Sequence, residues 1–128
     1  MEMSEFLQLS NFDMRDNQLI RYNRQIALPE LELEGQQKIN SAKVLVIGLG
    51  VLGTVAANYL CRSGVGSMGV CDFDKVHLSN LHRQVLYKTS DIGKSKVKQS
   101  LKEFNFLTGR IKRIKVKKDP KCRICGEG

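Results

Sequence analysis

The chain has 128 residues, 41% of them hydrophobic and 27% charged, and carries a formal net charge of +8. That size and mixture suit a single domain able to bury a core, and they argue against wholesale disorder. No apolar run approaches the ~20 residues that a bilayer-spanning helix needs. Met1 to Asp16 mixes acidic and apolar residues and lacks the continuous apolar stretch of a secretory leader, so a cytoplasmic location is expected. In that setting Cys61, Cys71, Cys122 and Cys125 are expected to be thiols or metal ligands, not disulfides.

Met1 to Ser41 has no glycine before Gly35, and only Pro29 interrupts it. Its apolar spacing predicts two helices, Met14 to Ile26 and Leu31 to Asn40, with the break at Pro29. Arg21 and Arg24 fall three apart on the first, a spacing that suits a surface pair, a polyphosphate or a subunit contact. Lys43 to Gly53 reads Lys-Val-Leu-Val-Ile-Gly-Leu-Gly-Val-Leu-Gly. A short apolar run opening into glycines and then a helix-forming stretch reads as a buried parallel strand, Val44 to Ile47, feeding a helix from Leu52 to Ser63. Gly48 would permit the tight turn, Gly50 would let a phosphate approach the backbone, and Gly53 would let the helix pack closely on the strand. Plain structural turns use such glycines too. Val55, Ala56, Tyr59 and Leu60 are expected to form the helix's inward face, and Gly64 to close it. A second strand, Ser67 to Cys71, completes a βαβ unit.

Asp72-Phe73-Asp74 then falls at the carboxyl end of the second strand, where open α/β sheets bind ligands. Asp72 follows Gly53 at close to the ~20-residue spacing that places an acidic side chain on a nucleotide ribose. Asp74 could serve either as a ligand group or as a turn cap. Ser79, Asn80 and Arg83 suit a capped turn and a phosphate cluster beside the glycine loop. His77 and His82 have no carboxylate or nucleophile in register and read as surface or packing histidines. A helix from Ser95 to Phe106 carries Lys96 in its first turn, where the helix dipole prefers an anion; a bound phosphate would resolve that conflict.

The charge is uneven. Between Lys94 and Arg123 stand twelve Lys or Arg against Glu103 and Asp119, while the other residues carry nine basic and eleven acidic side chains. This block is either a solvated face or an attractor for nucleic acid, an acidic protein or phosphate. Only Phe104 and Phe106 interleave it, too few for a base-stacking surface, so nucleic acid is not the expected partner.

Arg-Tyr-x-Arg-Gln from Arg21, Gly-x-Gly-x-x-Gly from Gly48, Asp-x-Asp at Asp72, Ser-Asn-Leu-x-Arg-Gln from Ser79 and Gly-x-x-Lys ending at Lys96 occur in one order and spacing. As a set they resemble the ubiquitin-activating-enzyme family, most closely its molybdopterin-synthase and thiamine-biosynthesis sulfur-carrier adenylyltransferases. A dinucleotide dehydrogenase would share the loop but not the Ser-Asn-Leu-x-Arg-Gln cluster. The resemblance implies a Rossmann-like α/β domain with a parallel sheet and N-terminal helices. It implies binding of magnesium ATP and transfer of AMP to the C-terminal glycine of a ubiquitin-like sulfur-carrier protein ending in Gly-Gly. By the same resemblance Gly48, Gly50, Val51, Gly53, Asp72, Asp74, Ser79, Asn80, Arg83 and Lys96 would contact the nucleotide. Arg83 and Lys96 would assist the transfer, joined by Arg24 reaching the triphosphate of a neighbouring subunit in a homodimer. After Asn105 the family continues for roughly another hundred residues, well beyond one βαβ unit. Here the sequence passes instead to Ile111 to Lys117 and an ending like the family's last strand and second zinc-binding Cys-x-x-Cys, Cys122 and Cys125. Residues 1–128 are therefore expected to form one internally truncated nucleotide-binding domain in which an enzyme or a catalytically impaired binding module survives. Zinc needs four ligands, of which that pair supplies two; Cys61 and Cys71 are expected to be buried as small apolar residues.

Overall fold

The computed structural model describes residues 16–108, with side chains through residue 105. The elements run α1 (Asp16–Ile26), α2 (Glu32–Ser41), β1 (Lys43–Ile47), α3 (Val51–Arg62), β2 (Ser67–Cys71), single 3-10 turns at Leu78–Asn80 and Thr89–Asp91, and α4 (Lys96–Thr108). The expected α/β order is present, with a turn around Pro29 between the first two helices. The segment Ile111 to Lys117 and the pair Cys122 and Cys125 lie outside the described residues.

β1 and β2 pair in parallel, from Lys43 opposite Ser67 to Ile47 opposite Cys71. The ladder runs on at both ends: Ser67 N–H donates to Ala42 O at 3.0 Å and Gly48 N–H to Cys71 O at 2.8 Å. α3 and α4 pack together beside this sheet. Leu49, Ala57, Cys61, Met68, Val70, Leu101 and Phe104 form the core, with Val46, Leu60, Leu86 and Val97 against it. Phe104 is fully buried, worth about 1.5–3 kcal/mol in hydrophobic transfer alone.

Three expectations are corrected. The inward face of α3 is Thr54, Ala57 and Cys61, with Leu60 partly covered, whereas Val55, Ala56 and Tyr59 are exposed. Among the described residues β1 is covered on one face only: Val46 packs on the core, but Leu45 is 55% and Ile47 79% exposed. Alternate side chains of a strand point to opposite faces, so Leu45 and Ile47 lie together on the uncovered side. Cys61 is buried as expected, but Cys71, ending β2 on that same side, is exposed.

A buried amide network fastens α1 and α2 to the far end of α3. Gln25 Nε2 donates to Gln36 Oε1 and to Ser63 O, and Gln36 Nε2 donates to Asn40 Oδ1 and Ser63 O, the last three at 3.0 Å. Gly64 closes α3 at φ +97°, where a Cβ would come within 2.7 Å of Asn40 Oδ1 and 2.8 Å of Tyr22 Cζ. Among the described residues no helix is long and apolar enough to cross a membrane.

Candidate functional site

The site grows from the turn between β1 and α3. Gly48 sits at φ +90°, which glycine adopts at little cost, and among the described residues nothing stands within 4 Å of where its Cβ would be. Leu49 is fully buried and its backbone is held on both sides of its Cα. Its N–H donates to Asp72 Oδ2 at 2.6 Å, and its carbonyl accepts the Tyr87 hydroxyl at 2.9 Å. The Tyr87 oxygen also lies 3.3 Å from Ser100 Oγ. Burial pushes the Tyr87 phenol up to about 12; the Ser100 hydrogen bond works against that rise and the Asp72 charge adds to it. Asp72 therefore fixes the loop and its own turn together, because its Oδ1 accepts the Asp74 N–H at 2.7 Å.

Gly53 and Gly50 have different reasons to be glycine. A Cβ on Gly53 would lie 1.7 Å from Gly48 O, so close helix packing demands glycine there, as expected. Gly50 has an ordinary φ of −81°, and the nearest atom to its would-be Cβ is Gln84 Nε2 at 3.9 Å. The surrounding protein would accept a side chain at Gly50; what glycine provides is room over the start of α3. Val51 opens that helix and is 39% exposed. The helix start carries no side-chain cap and no acidic residue in its first turn, which leaves the positive end of its dipole available to an anion.

Beyond β2, Lys75 and Ser95 make an antiparallel bridge, and Lys96 N–H donates to Asp74 O at 3.1 Å. Lys96 is 4% exposed and its Nζ lies 3.4 Å from Asp74 Oδ2. The conflict expected at the start of α4 is thus answered by Asp74 itself, and no phosphate is needed there to pair the ammonium. Gly93, at φ +82°, shapes the turn into α4, and the Asp91 carboxylate caps the preceding 3-10 turn by accepting Lys88 N–H at 2.9 Å. Asn80 Oδ1 accepts the His77 N–H at 3.2 Å, while Arg83 Nη1 donates to Ser79 O at 2.9 Å. Ser79, Asn80 and Arg83 therefore gather in one turn, with the guanidinium exposed. His77 and His82 are exposed.

Arg24 is not brought to this cluster. It is exposed near the end of α1, and the adjacent Gln25 bonds Ser63, just past the final residue of α3. The 12 residues of α3 span about 18 Å, and the glycine loop is at the opposite end. Residue-type reasoning missed Tyr87, whose role depends on folding back onto Leu49 across 38 positions. It also gave Gln84 no role beyond its place in a motif, although the side chain is 4% exposed and faces Gly50. Among the described residues no three His, Cys, Asp or Glu side chains gather in a way that could hold a metal ion. Asp72 and Asp74 are engaged by peptide N–H groups and by Lys96.

The profile of the ThiF family matches residues 22–120. The chain belongs to the ThiF family. The sulfur carrier protein ThiS adenylyltransferase of Escherichia coli is 53% identical over 83 residues, covering 65% of this chain and 33% of that protein. The molybdopterin-synthase adenylyltransferase of Salmonella typhimurium is 44% identical over 88 residues, covering 69% of this chain and 35% of that protein. The adenylyltransferase and sulfurtransferase uba4 of Aspergillus niger is 52% identical over 93 residues, 70% of this chain but 19% of its own. This ThiF-family chain thus spans about a fifth to a third of the curated relatives it matches. Among solved structures, PaaA superposes with a TM-score of 0.68 at 33% identity, over 78% of this chain and 33% of that one. Escherichia coli MccB with ATP superposes with a TM-score of 0.60 at 31% identity, over 64% and 25%. TcdA of Escherichia coli, at 22% identity and a TM-score of 0.72 over 82% of this chain and 43% of that one, shares the fold. These neighbours establish the Rossmann-like α/β class.

Proposed function

We propose that this ThiF-family chain supplies the nucleotide side of a site that adenylylates the C-terminal glycine of a ubiquitin-like sulfur-carrier protein. The observation that carries the reading is the Leu49 backbone, its N–H held by Asp72 and its carbonyl by Tyr87, beside the open turn at Gly50 and the start of α3. A helix start held this way is fitted to a phosphate. The relatives named for sulfur-carrier and molybdopterin-synthase adenylylation, and the MccB structure containing ATP, support the choice of ligand and reaction. In that reaction a carboxylate oxygen of the carrier bonds to the α-phosphorus of ATP as the bond to pyrophosphate breaks. No proton need be removed, so the protein's contribution is alignment together with cations near the developing charge. In this reading Arg83 and Lys96 would be the cations near the phosphates, Lys96 sharing its charge with Asp74, and Asp72 would take the ribose alongside its bonds to the loop. Magnesium would arrive with the nucleotide phosphates. Arg24, exposed at the far end of α3, fits a role toward a second subunit of a homodimer.

A second reading, a nucleotide-binding module without turnover, follows from the departure of the sequence from the family pattern after Asn105. ATP at a hundred times its dissociation constant should stabilise the protein by about 2.7 kcal/mol, measured as a rise in melting temperature. No rise would remove both readings. Pyrophosphate exchange that depends on a Gly-Gly-ending carrier selects the enzyme; its absence alongside a clear thermal shift selects the module.

A further inference from the structure

Lys96 is the one cation buried among the described residues: its side chain is 5% exposed, whereas that of Asp74, whose Oδ2 lies 3.4 Å from Nζ, is 49% exposed. Lys38, Lys88 and Lys94 also pair with carboxylates, but the side chain of each is more than half exposed. A buried ammonium is tolerated when a partner charge stands against it, and removing that partner alone is strongly destabilising. The backbone of Asp74 is fixed: its N–H donates to Asp72 Oδ1 at 2.7 Å, and its carbonyl accepts Lys96 N–H at 3.1 Å. The carboxylate is thus the part of the pair that faces solvent, and it can swing away from the ammonium without breaking the turn.

We propose that Asp74 is a positioning residue that holds the Lys96 ammonium between ligands, yields it to a polyphosphate and takes it back when pyrophosphate leaves. A polyanion arriving at Lys96 meets an ammonium that is already neutralised, so part of its attraction goes into displacing the carboxylate. The same competition favours release of pyrophosphate, which a buried cation with no counter-charge of its own would retain. Asp74 acts through Lys96 in this role and need touch no ligand. The choice of a polyphosphate rests on the nucleotide reading above; the burial of Lys96 behind Asp74 does not.

Three substitutions in the full chain test it: Asp74→Asn, Asp74→Glu and Lys96→Met, the first also combined with the third. Melting temperature is measured without ligand, and the binding of ATP and of pyrophosphate is measured by titration calorimetry. Asp74→Asn keeps the shape and the backbone bonds but removes the counter-charge, so it should melt below the wild type. The Asp74→Asn, Lys96→Met double variant lacks both charges and should recover most of that loss. Asp74→Asn should bind both anions about tenfold more tightly, because the ligand now supplies the missing charge; loss of a merely structural residue would weaken binding instead. Asp74→Glu, which keeps the charge, should bind them as the wild type does. In the Lys96→Met background, Asp74→Asn should bring no gain in affinity. An equal gain there would make Asp74 a simple repelling charge and overturn the proposal, as would an Asp74→Asn chain that binds neither anion more tightly than the wild type. Tighter pyrophosphate binding by Asp74→Asn in a protein that does not bind ATP would remove the nucleotide reading and leave the exchange of Lys96 between Asp74 and an anion standing.

Discussion

Tyr87 shows how one side chain can set a loop and report on it. Its hydroxyl donates to the carbonyl of Leu49, whose N–H is held by Asp72, so the two peptide planes that flank the Leu49 Cα are each pinned. Replacing Tyr87 with Phe leaves that buried carbonyl without its side-chain donor, which should cost about 1–3 kcal/mol in denaturant unfolding at neutral pH. The pH dependence is distinctive. The folded phenol is raised to about 12, above its ordinary value of 10.0, so its contribution is fully present below about pH 10 and fades as the pH rises toward 12. The stability gap between wild type and Tyr87→Phe should accordingly narrow across that alkaline window. A gap that stays constant from pH 8 to 12 would show that Tyr87 does not titrate in linkage with folding. ATP affinity should fall in the variant as well, because the loop it steadies carries Gly50.

The element that organises the domain is the strand, glycine turn and α3 together, and its glycines separate fold from function. In Gly53→Ala the new methyl group would meet Gly48 O at 1.7 Å, a backbone atom that can yield only if helix and strand part. The expected loss is about 3 kcal/mol or more, in the upper range for overpacking. In Gly50→Ala the methyl meets nothing closer than 3.9 Å and the backbone angle is ordinary, so stability should change by no more than about 1 kcal/mol, the scale of a weakened helix cap. That variant should nonetheless bind ATP poorly, since the methyl occupies the space above the helix start. Thermal melts with and without ATP distinguish the two; a folded Gly50→Ala chain with wild-type ATP affinity would count against the phosphate seat. Much of this element was legible beforehand, because glycine spacing and a Val-Leu-Val-Ile run dictate backbone conformation directly. The inward face of α3 was not. Thr54 turns its hydroxyl back onto Gly50 O at 2.6 Å and so can be buried, while Val55 and Tyr59 stay exposed for want of a described neighbour to cover them. The Asp74–Lys96 pair was illegible for another reason: it joins side chains 22 positions apart, and only the Lys75–Ser95 bridge brings them together.

At the scale of the molecule, the covering of the sheet is uneven. Parallel sheets in α/β proteins are ordinarily covered on both faces, yet the two described strands carry α3 and α4 on one side and expose Leu45 and Ile47 on the other. With both left in water, the face should bind a hydrophobic dye and favour self-association that rises with protein concentration. A Leu45→Lys and Ile47→Lys double variant should reduce the dye signal and the associated fraction in sedimentation velocity. Its effect on stability should remain within about 1 kcal/mol, because exposed positions tolerate charge. The opposite result is equally informative: a loss of several kcal/mol, on the scale of burying unpaired charge, would mean that the 128-residue chain itself covers this face. Repeating the melts with ATP connects this scale to the site. The helix start is formed on the core side of the sheet, so the thermal shift produced by ATP should be the same in the double variant as in the wild type.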